Sequence, residues 1–424
     1  MSMVTQWAKT AFLSGLAGLK GGTLTVECPD RTYRFGDDDE LDATLTVHDE
    51  RFFLRALTGG DIGIGESFMD GDWTTRDVVP LVRLMLRSRR VFERQSRVAG
   101  ALHRVAGGIA RRLRDNSLGG SRRHIHRHYD LGNEFFGLFL DRELRMYSCG
   151  HFETAADSLE RAQTRKVDRI CRTLALSPGD RVLEIGSGWG GFAVWAATHY
   201  GCHVTTTTIS DEQYRHVRDW RSRMGEAGSR IDVLRADYRE LAGEFDKIVS
   251  IEMFEAVGLN HYDDYFKAVD RLLVPNGSML LQTITVDDQW FPKYHGTPDW
   301  IEKYIFPGGE LASVGEILRS LARSTSLSMY HAENFGTHYA RTLEAWRTRF
   351  HHNLDRVRAL GYDERFIRMW DLYLGSCEAT FLERHTGLFQ LMLLKNGARR
   401  RLFNEPWSDT ATAPQEADAA ESAA

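Results

Sequence analysis

Long apolar runs are missing from this chain. Its densest stretches, such as Gly277-Ser-Met-Leu-Leu-Gln282, stop far short of the roughly 20 residues that a bilayer-crossing helix needs, so no membrane span is expected. Cysteine is sparse: Cys28, Cys149, Cys171, Cys202 and Cys377 are scattered, odd in number, and form no C-x-x-C pair. That spacing argues against a disulfide framework and a zinc site, and no metal is expected. The N-terminal stretch has no basic leader followed by an apolar core. No secretory signal is therefore read, and a cytoplasmic location is expected. Internal repeats are also missing. Positive charge is in deficit overall, with a formal net charge of -5, yet the segment from Leu81 to Asp130 holds thirteen arginines against Glu93, Asp115 and Asp130.

What is present divides the chain by texture. Gly22–Glu27, Arg31–Phe35 and Leu41–His48 alternate apolar and polar residues between turn-forming Pro/Asp and Gly/Asp pairs, and read as half-buried antiparallel strands. A stretch rich in glycine and aromatics, Ile62–Trp73, then leads into a helix expected from Asp77 to about Arg90. From Arg181 strands and helices alternate, as in βα units. Strands are expected at Arg181–Ile185, His203–Thr207, Ile231–Arg235, Lys247–Ile251 and Ser278–Ile284, with helices at Asp211–Arg223 and Tyr262–Leu273. Two long helices, Tyr339–Leu360 and Asp363–Arg384, and a strand at Leu388–Leu394 complete the reading. The expected organisation is a small α+β module over 1–95, an Arg-rich linker or interfacial helix over 96–121, an α/β domain over 122–407 and a disordered, Ala/Asp/Glu/Thr-rich tail over 408–424.

The strongest local chemistry is Val182-Leu-Glu-Ile-Gly-Ser-Gly-Trp-Gly-Gly191. A buried strand that ends in a glycine-dense turn and opens a helix lets a ligand approach the backbone, because glycine has no Cβ. Dinucleotide sites space their glycines G-x-G-x-x-G and place an acid about 20 residues on. Here the spacing is E-x-G-x-G-x-G-G, and the second strand ends in Thr205-Thr-Thr-Thr-Ile-Ser-Asp-Glu-Gln213 with no acid at its tip. That favours S-adenosylmethionine over NAD, as does Asp237 at the end of the third strand, placed to accept from an adenine amino group. A merely tight turn is the plainer alternative, but four glycines in six residues are costly unless backbone proximity is needed.

Around this loop stand His128-Tyr-Asp-Leu-Gly-Asn-Glu-Phe-Phe136, Met146-Tyr-Ser-Cys-Gly-His151, Glu252-Met-Phe-Glu-Ala-Val-Gly258, Lys303-Tyr-Ile-Phe-Pro-Gly-Gly309 and Asn334-Phe-Gly-Thr-His-Tyr-Ala-Arg-Thr-Leu343. Together they resemble the cyclopropane-fatty-acyl-phospholipid synthase family, which includes the mycolic acid cyclopropane synthases, over nearly the whole chain. The resemblance implies an α/β fold: a Rossmann-like class I S-adenosylmethionine methyltransferase domain with a seven-stranded, mostly parallel sheet, beside a smaller N-terminal α+β domain. It also implies methylene transfer from S-adenosylmethionine to the cis double bond of unsaturated phospholipid acyl chains, through a carbocation deprotonated by bound bicarbonate. Such a site must exclude water and align the alkene with the methyl, and Tyr147, Phe254, Tyr304, Phe306 and Tyr339 are candidate aromatic walls.

By the same resemblance, the bicarbonate pocket falls on Cys149, Glu255, Ile284 and Tyr339, with Gln282 where the family usually has histidine. Glutamine donates and accepts but does not titrate near neutrality, and it resembles a branch that installs methyl or methylene groups. Cofactor contacts are implied at Gly186, Gly188, Gly190, Thr208 and Gln213, with Glu184 bonding to the methionine amino end or to nearby backbone and Tyr129, Tyr147 and Ser148 closing over. Cys149 beside His151 invites a nucleophile reading, but the implied reaction needs no covalent intermediate and a thiolate there would itself be methylated. Cys149 is read instead as a neutral pocket residue whose backbone N–H faces the bicarbonate. The arginine-rich stretch is expected to dock on an anionic membrane surface, peripherally at the inner face. Nucleic acid is set aside for want of its motifs, and a homodimer is left open. Competing readings are acyl methyl-branch formation, a small-molecule N-methyltransferase and a silent lipid-binding protein.

Overall fold

The computed structural model describes residues 3–36, 40–88, 131–295, 297, 299–396 and 398. The predicted linker at 96–121, the tail at 408–424, Tyr129 and the arginines of the expected docking stretch from Arg89 to Arg127 lie outside the described residues.

Seven strands form the larger sheet: β5 (Arg181–Ile185), β6 (His203–Thr208), β7 (Ile231–Arg235), β8 (Phe245–Ile251), β9 (Leu273–Val286), β10 (Leu327–Asn334) and β11 (Thr386–Lys395), ordered β10-β11-β9-β8-β5-β6-β7. Strands β5 to β9 pair in parallel, and β11 alone runs against its neighbours β9 and β10. The order reverses at β5, whose neighbours β6 and β8 lead away to either side, and such a switch point leaves a crevice at the carboxyl ends of the strands. Leu183, Ile248, Val249, Leu280 and Leu281 are buried because helices cover both faces.

The smaller sheet holds β1 (Thr23–Glu27), β2 (Thr32–Phe35), β3 (Asp42–Val47) and β4 (Trp73–Thr74), in the order β2-β1-β3-β4. The expected all-antiparallel arrangement is corrected here: β1 and β2 form a hairpin, but β1 and β3 are parallel. After the hairpin the chain crosses to the other edge of β1, so β3 regains its direction while burying Ala43, Leu45 and Val47 on the same core as Leu24 and Val26.

Three helices join this sheet: α1 (Met3–Gly15), α2 (Arg51–Met69) and α3 (Val78–Arg87). Helix α2 lies where the sequence reading assigns no element and notes only that Ile62–Trp73 is rich in glycine and aromatics. It kinks at Gly60, where φ is 57°. Gly65 is a close-approach position: a Cβ there would lie 2.3 Å from the Trp300 ring. Beside it, Glu66 accepts from Lys303 Nζ at 2.6 Å and from Tyr304 Oη at 2.7 Å. The glycine-rich stretch is thus a seat for segment 299–306.

Asp77 caps α3 by accepting from the Val79 N–H at 3.0 Å. The apolar face of α3, with Val78, Val79, Leu81 and Leu84 buried, packs on the helix Glu364–Leu382, each such side chain contributing about 1.5–3 kcal/mol. Arg83 and Arg87, part of the proposed docking stretch, instead donate to Glu383 at 2.7 and 2.9 Å. One apolar core therefore runs from Leu24, Phe52 and Trp73 through Leu84 to Trp370, Trp346 and Phe135.

Candidate active site

Strand β5 ends in the glycine turn. Gly186, Gly188 and Gly190 all have positive φ, at 97°, 48° and 94°. The Gly186 and Ser187 N–H groups donate to Thr207 O on β6, which pins the turn. A Cβ at Gly188 would meet nothing within 4 Å, so the turn has an open side there. This open backbone cradle, with Thr208 and Asp237 at the neighbouring strand ends and Gln213 in the first turn of the helix Asp211–Ser222, fits a nucleoside-bearing cofactor. Thr208 Oγ1 donates to Gln213 Oε1 at 2.8 Å, holding the two predicted contacts together. Asp237 accepts from the Arg239 N–H and guanidinium at 2.8–3.0 Å, which leaves lone-pair capacity on Oδ2 for one further donor. Glu184 is buried under the turn and accepts from Thr206 Oγ1 at 2.6 Å. Burial pushes its carboxyl up to about 8, against the pull of Thr206 and Lys166.

The segment Arg145–His151 lies against this turn. Asp141 accepts from the N–H groups of Leu144, Arg145 and Met146 at 2.6–3.1 Å and fixes the local bend. Gly191 allows the approach, since a Cβ would stand 2.5 Å from both Leu144 O and Met146 Sδ. Ser148 Oγ accepts from Lys166 Nζ at 2.7 Å. Lys166 is fully buried, which pulls its ammonium down to about 8 despite the nearby carboxylates. Trp189 of the turn donates from Nε1 to Asn133 Oδ1 at 2.7 Å and packs on Phe136. This contact accounts for the described part of the 128–136 motif.

Aromatic walls are present but redistributed. Tyr147 lies among Phe136, Phe306 and Trp346, and its hydroxyl meets that of Tyr373 at 2.9 Å. Tyr339 stacks on Phe381 at 4.6 Å. Phe254 packs instead among Tyr262, Tyr265 and Phe266 in the core under the sheet, while Tyr304 faces Glu66.

Opposite the turn, the predicted anion pocket is assembled around a residue that the sequence reading passed over. Glu252 follows β8 with φ 50°, a conformation non-glycine residues rarely adopt. Its Oε1 accepts from the Cys149 N–H at 3.0 Å and from Gln282 Nε2 at 2.7 Å, and its Oε2 accepts from Tyr339 Oη at 2.6 Å. Gln390 Nε2 donates to Gln282 Oε1 at 2.9 Å, which fixes which way the glutamine amide faces. Glu255 accepts through Oε1 from the Ile284 N–H at 2.6 Å and from Thr283 Oγ1 at 3.1 Å. Its Oε2 is buried with no partner. Burial, then the adjacent Glu252 charge, push Glu255 up to about 8, so it carries a proton at neutrality. Burial also raises Glu252, against the pull of Tyr339, Cys149 N–H, Gln282 and Lys166.

The residues expected around bicarbonate do converge, but on carboxylates of the chain. Cys149 N–H, Gln282 and Tyr339 are engaged by Glu252, and Ile284 N–H by Glu255. An external anion would have to break these bonds and lie against two carboxyl groups, so bicarbonate does not fit this donor set. The Cys149 thiol is fully buried, and burial followed by the Glu252 charge pushes it well above its ordinary value, which disfavours a thiolate. His151 does not serve it: the ring stacks on His338 at 4.8 Å. Glu252 had one signal in the sequence, a charge placed directly after an apolar strand at its carboxyl end. Lys166 and Asp141 had none.

A sheet with this switch point, a glycine cradle on its first strand and an antiparallel last strand define a class I S-adenosylmethionine-dependent methyltransferase. The mycolic acid cyclopropane synthetase model matches residues 117–391. Tuberculostearic acid methyltransferase UfaA1 of Mycobacterium tuberculosis is 37% identical over 370 residues, covering 85% of this chain and 86% of that protein. Cyclopropane-fatty-acyl-phospholipid synthase of Escherichia coli is 38% identical over 362 residues, covering 84% and 90%. The solved structure of the cyclopropane synthase MmaA2 from M. tuberculosis aligns with a TM-score of 0.60 at 32% identity, covering 65% of this chain and 98% of that one. That of mycolic acid cyclopropane synthase CmaA1 complexed with SAH and CTAB aligns with the same TM-score at 31% identity, with the same coverage. The chain belongs to the mycolic acid cyclopropane synthetase family, and it is an S-adenosylmethionine-dependent methyltransferase. Among the described residues, no helix is long and apolar enough to cross a membrane.

Proposed function

We propose that this enzyme transfers a methylene from S-adenosylmethionine to the cis double bond of unsaturated phospholipid acyl chains and forms a cyclopropane. The observation that carries the reading is the juxtaposition of an open glycine cradle with a half-buried pair of carboxyl groups, Glu252 and Glu255, across the Tyr147–Cys149 segment. Gly186, Gly188 and Gly190 would hold the cofactor backbone, Thr208, Gln213 and Asp237 its nucleoside, and Tyr147 and Ser148 the sulfonium end. Bound there, S-adenosylmethionine supplies an electrophilic methyl whose C–S electron pair stays with sulfur. The protein's part is to hold an alkene in line and keep water from the cation that follows. The Tyr147, Phe306 and Trp346 rings pack on one another as an apolar wall, and an aromatic ring stabilises a cation that meets its π face.

A second reading, a methyl or methylene branch on the same chains, is favoured by two observations. Gln282 is locked between Glu252 and Gln390, and one relative of comparable identity is named a tuberculostearic acid methyltransferase. Access to the lipid would fall to the arginines from Arg89 to Arg127, because Arg83 and Arg87 are engaged by Glu383. Expression in a bacterium lacking such an enzyme, followed by mass spectrometry of its fatty acid methyl esters, tests both. A gain of one CH2 with no alkene left indicates the ring. The same gain with an alkene retained indicates the branch, and no gain refutes acyl methyl transfer.

A further inference from the structure

Three donors from three separate segments meet at the Glu252 carboxylate: the Cys149 N–H, the Gln282 amide and the Tyr339 hydroxyl. Two hydrogen bonds fill Oε1 and one is made to Oε2, so an acceptor position remains on Oε2. Glu252 also keeps partial access to its surroundings. Its backbone is held at φ 50°, and strain of this kind persists where the surroundings enforce it and concentrates at working sites. Its neighbour Glu255 cannot share the role of base, because it is protonated at neutrality and its Oε2 has no partner.

We infer that the Glu252 carboxylate is the built-in base of this site, taking the proton from the methylated acyl chain where a bound external oxyanion would otherwise act. The inference rests on the acyl methyl transfer proposed above. The methylated chain carries a cation beside the new C–C bond. A C–H bond breaks, its proton goes to Glu252 Oε2, and its electron pair closes the ring or forms the double bond of a branch. Glu252 becomes a carboxylic acid and returns the proton to solvent on product release. The Tyr339, Gln282 and Cys149 donors aim the carboxylate, and together with the Lys166 charge they pull against the burial that raises its pKa.

The test uses the full chain, S-adenosylmethionine and vesicles of unsaturated phosphatidylglycerol, in buffer stripped of carbon dioxide and again with bicarbonate added. The wild type is expected to show no saturable bicarbonate binding by calorimetry and to work equally in both buffers. Glu252→Gln is expected to lose roughly 10²–10⁴-fold in turnover, the range of a general base, while still binding S-adenosylmethionine. Glu252→Gly relieves the positive φ and so guards against misfolding; it is expected to bind bicarbonate and to recover activity with it. The inference is overturned by a wild type that binds bicarbonate and stops without it, by Glu252→Gln within about threefold of wild type, or by Glu252→Gly that bicarbonate does not rescue. A wild type that methylates no acyl chain removes the parent reading, and this one with it.

Discussion

The two halves of the site are built differently. The side proposed for the cofactor is nearly continuous in sequence: one strand, one turn and one helix start, from Val182 to Gly191, with Thr208 and Asp237 supplied by the next strand ends. The carboxyl side is gathered from residues 149, 252, 255, 282, 284 and 339, and none of these means much without the others. A local site tolerates change in the rest of the fold. A gathered site depends on the register of β8 with β9, which sets Ile251 beside Gln282, and on the docking of the helix Gly336–His352.

The comparison breaks most severely at Gly191, where the two halves touch. Gly191→Ala places a Cβ 2.5 Å from Leu144 O and Met146 Sδ and must push the Tyr147–Cys149 segment away. Turnover and S-adenosylmethionine affinity should each fall by about 100-fold, the cost of a misplacement near 1 Å, as read by kinetics and calorimetry. Unchanged affinity would mean that the halves are independent.

Tyr339→Phe touches the carboxyl side alone. Loss of a hydrogen bond to a charged group, about 1.5–3 kcal/mol, should lower turnover by roughly 10–100-fold with cofactor affinity unchanged. Equal losses in both quantities would show that the gathered site also shapes the cradle.

Glu255 offers a pH test of burial. Its folded value near 8 exceeds the ordinary carboxyl value, so the folded state binds more protons between the two and its stability falls as pH rises through that window. Glu255→Gln removes the ionisation. It should gain on wild type by at least about 1 kcal/mol in denaturant unfolding between pH 6 and pH 9. A pH-independent difference would place the proton elsewhere.

The smallest effect is expected at Cys149. Its backbone N–H, which Cys149→Ser retains, makes the bond to Glu252, while its thiol meets only Gly150 O and Thr342. Turnover should stay within about tenfold, and alkylating agents should leave the buried Cys149 thiol of the folded enzyme unmodified. A folded, cofactor-binding but inactive serine variant would return the thiol to the chemistry.

Much of this was legible before any coordinates. The strands Arg181–Ile185, Ile231–Arg235 and Leu388–Leu394, and the capped helix after Asp77, follow from periodicity and turn chemistry that act over a few residues. The predicted helix Tyr339–Leu360 is divided at Asn353. Helix α2 stayed hidden behind its glycines, which serve the kink at Gly60 and the Trp300 seat, and β10 was missed because its polar residues pair with β11 at the sheet edge.

By itself, the sequence determined the α/β class, the glycine cradle and the family, because each is carried by contiguous residues whose φ requirements and burial pattern are local. Only the tertiary structure decided that Glu252 occupies the place expected for an anion, that Lys166 lies buried under Ser148 and that Gln282 is held by Gln390. Hydrogen-bond partners across more than a hundred residues of chain are chosen by sheet register and helix docking, and a buried carboxylate has one meaning when three donors reach it and another when none does.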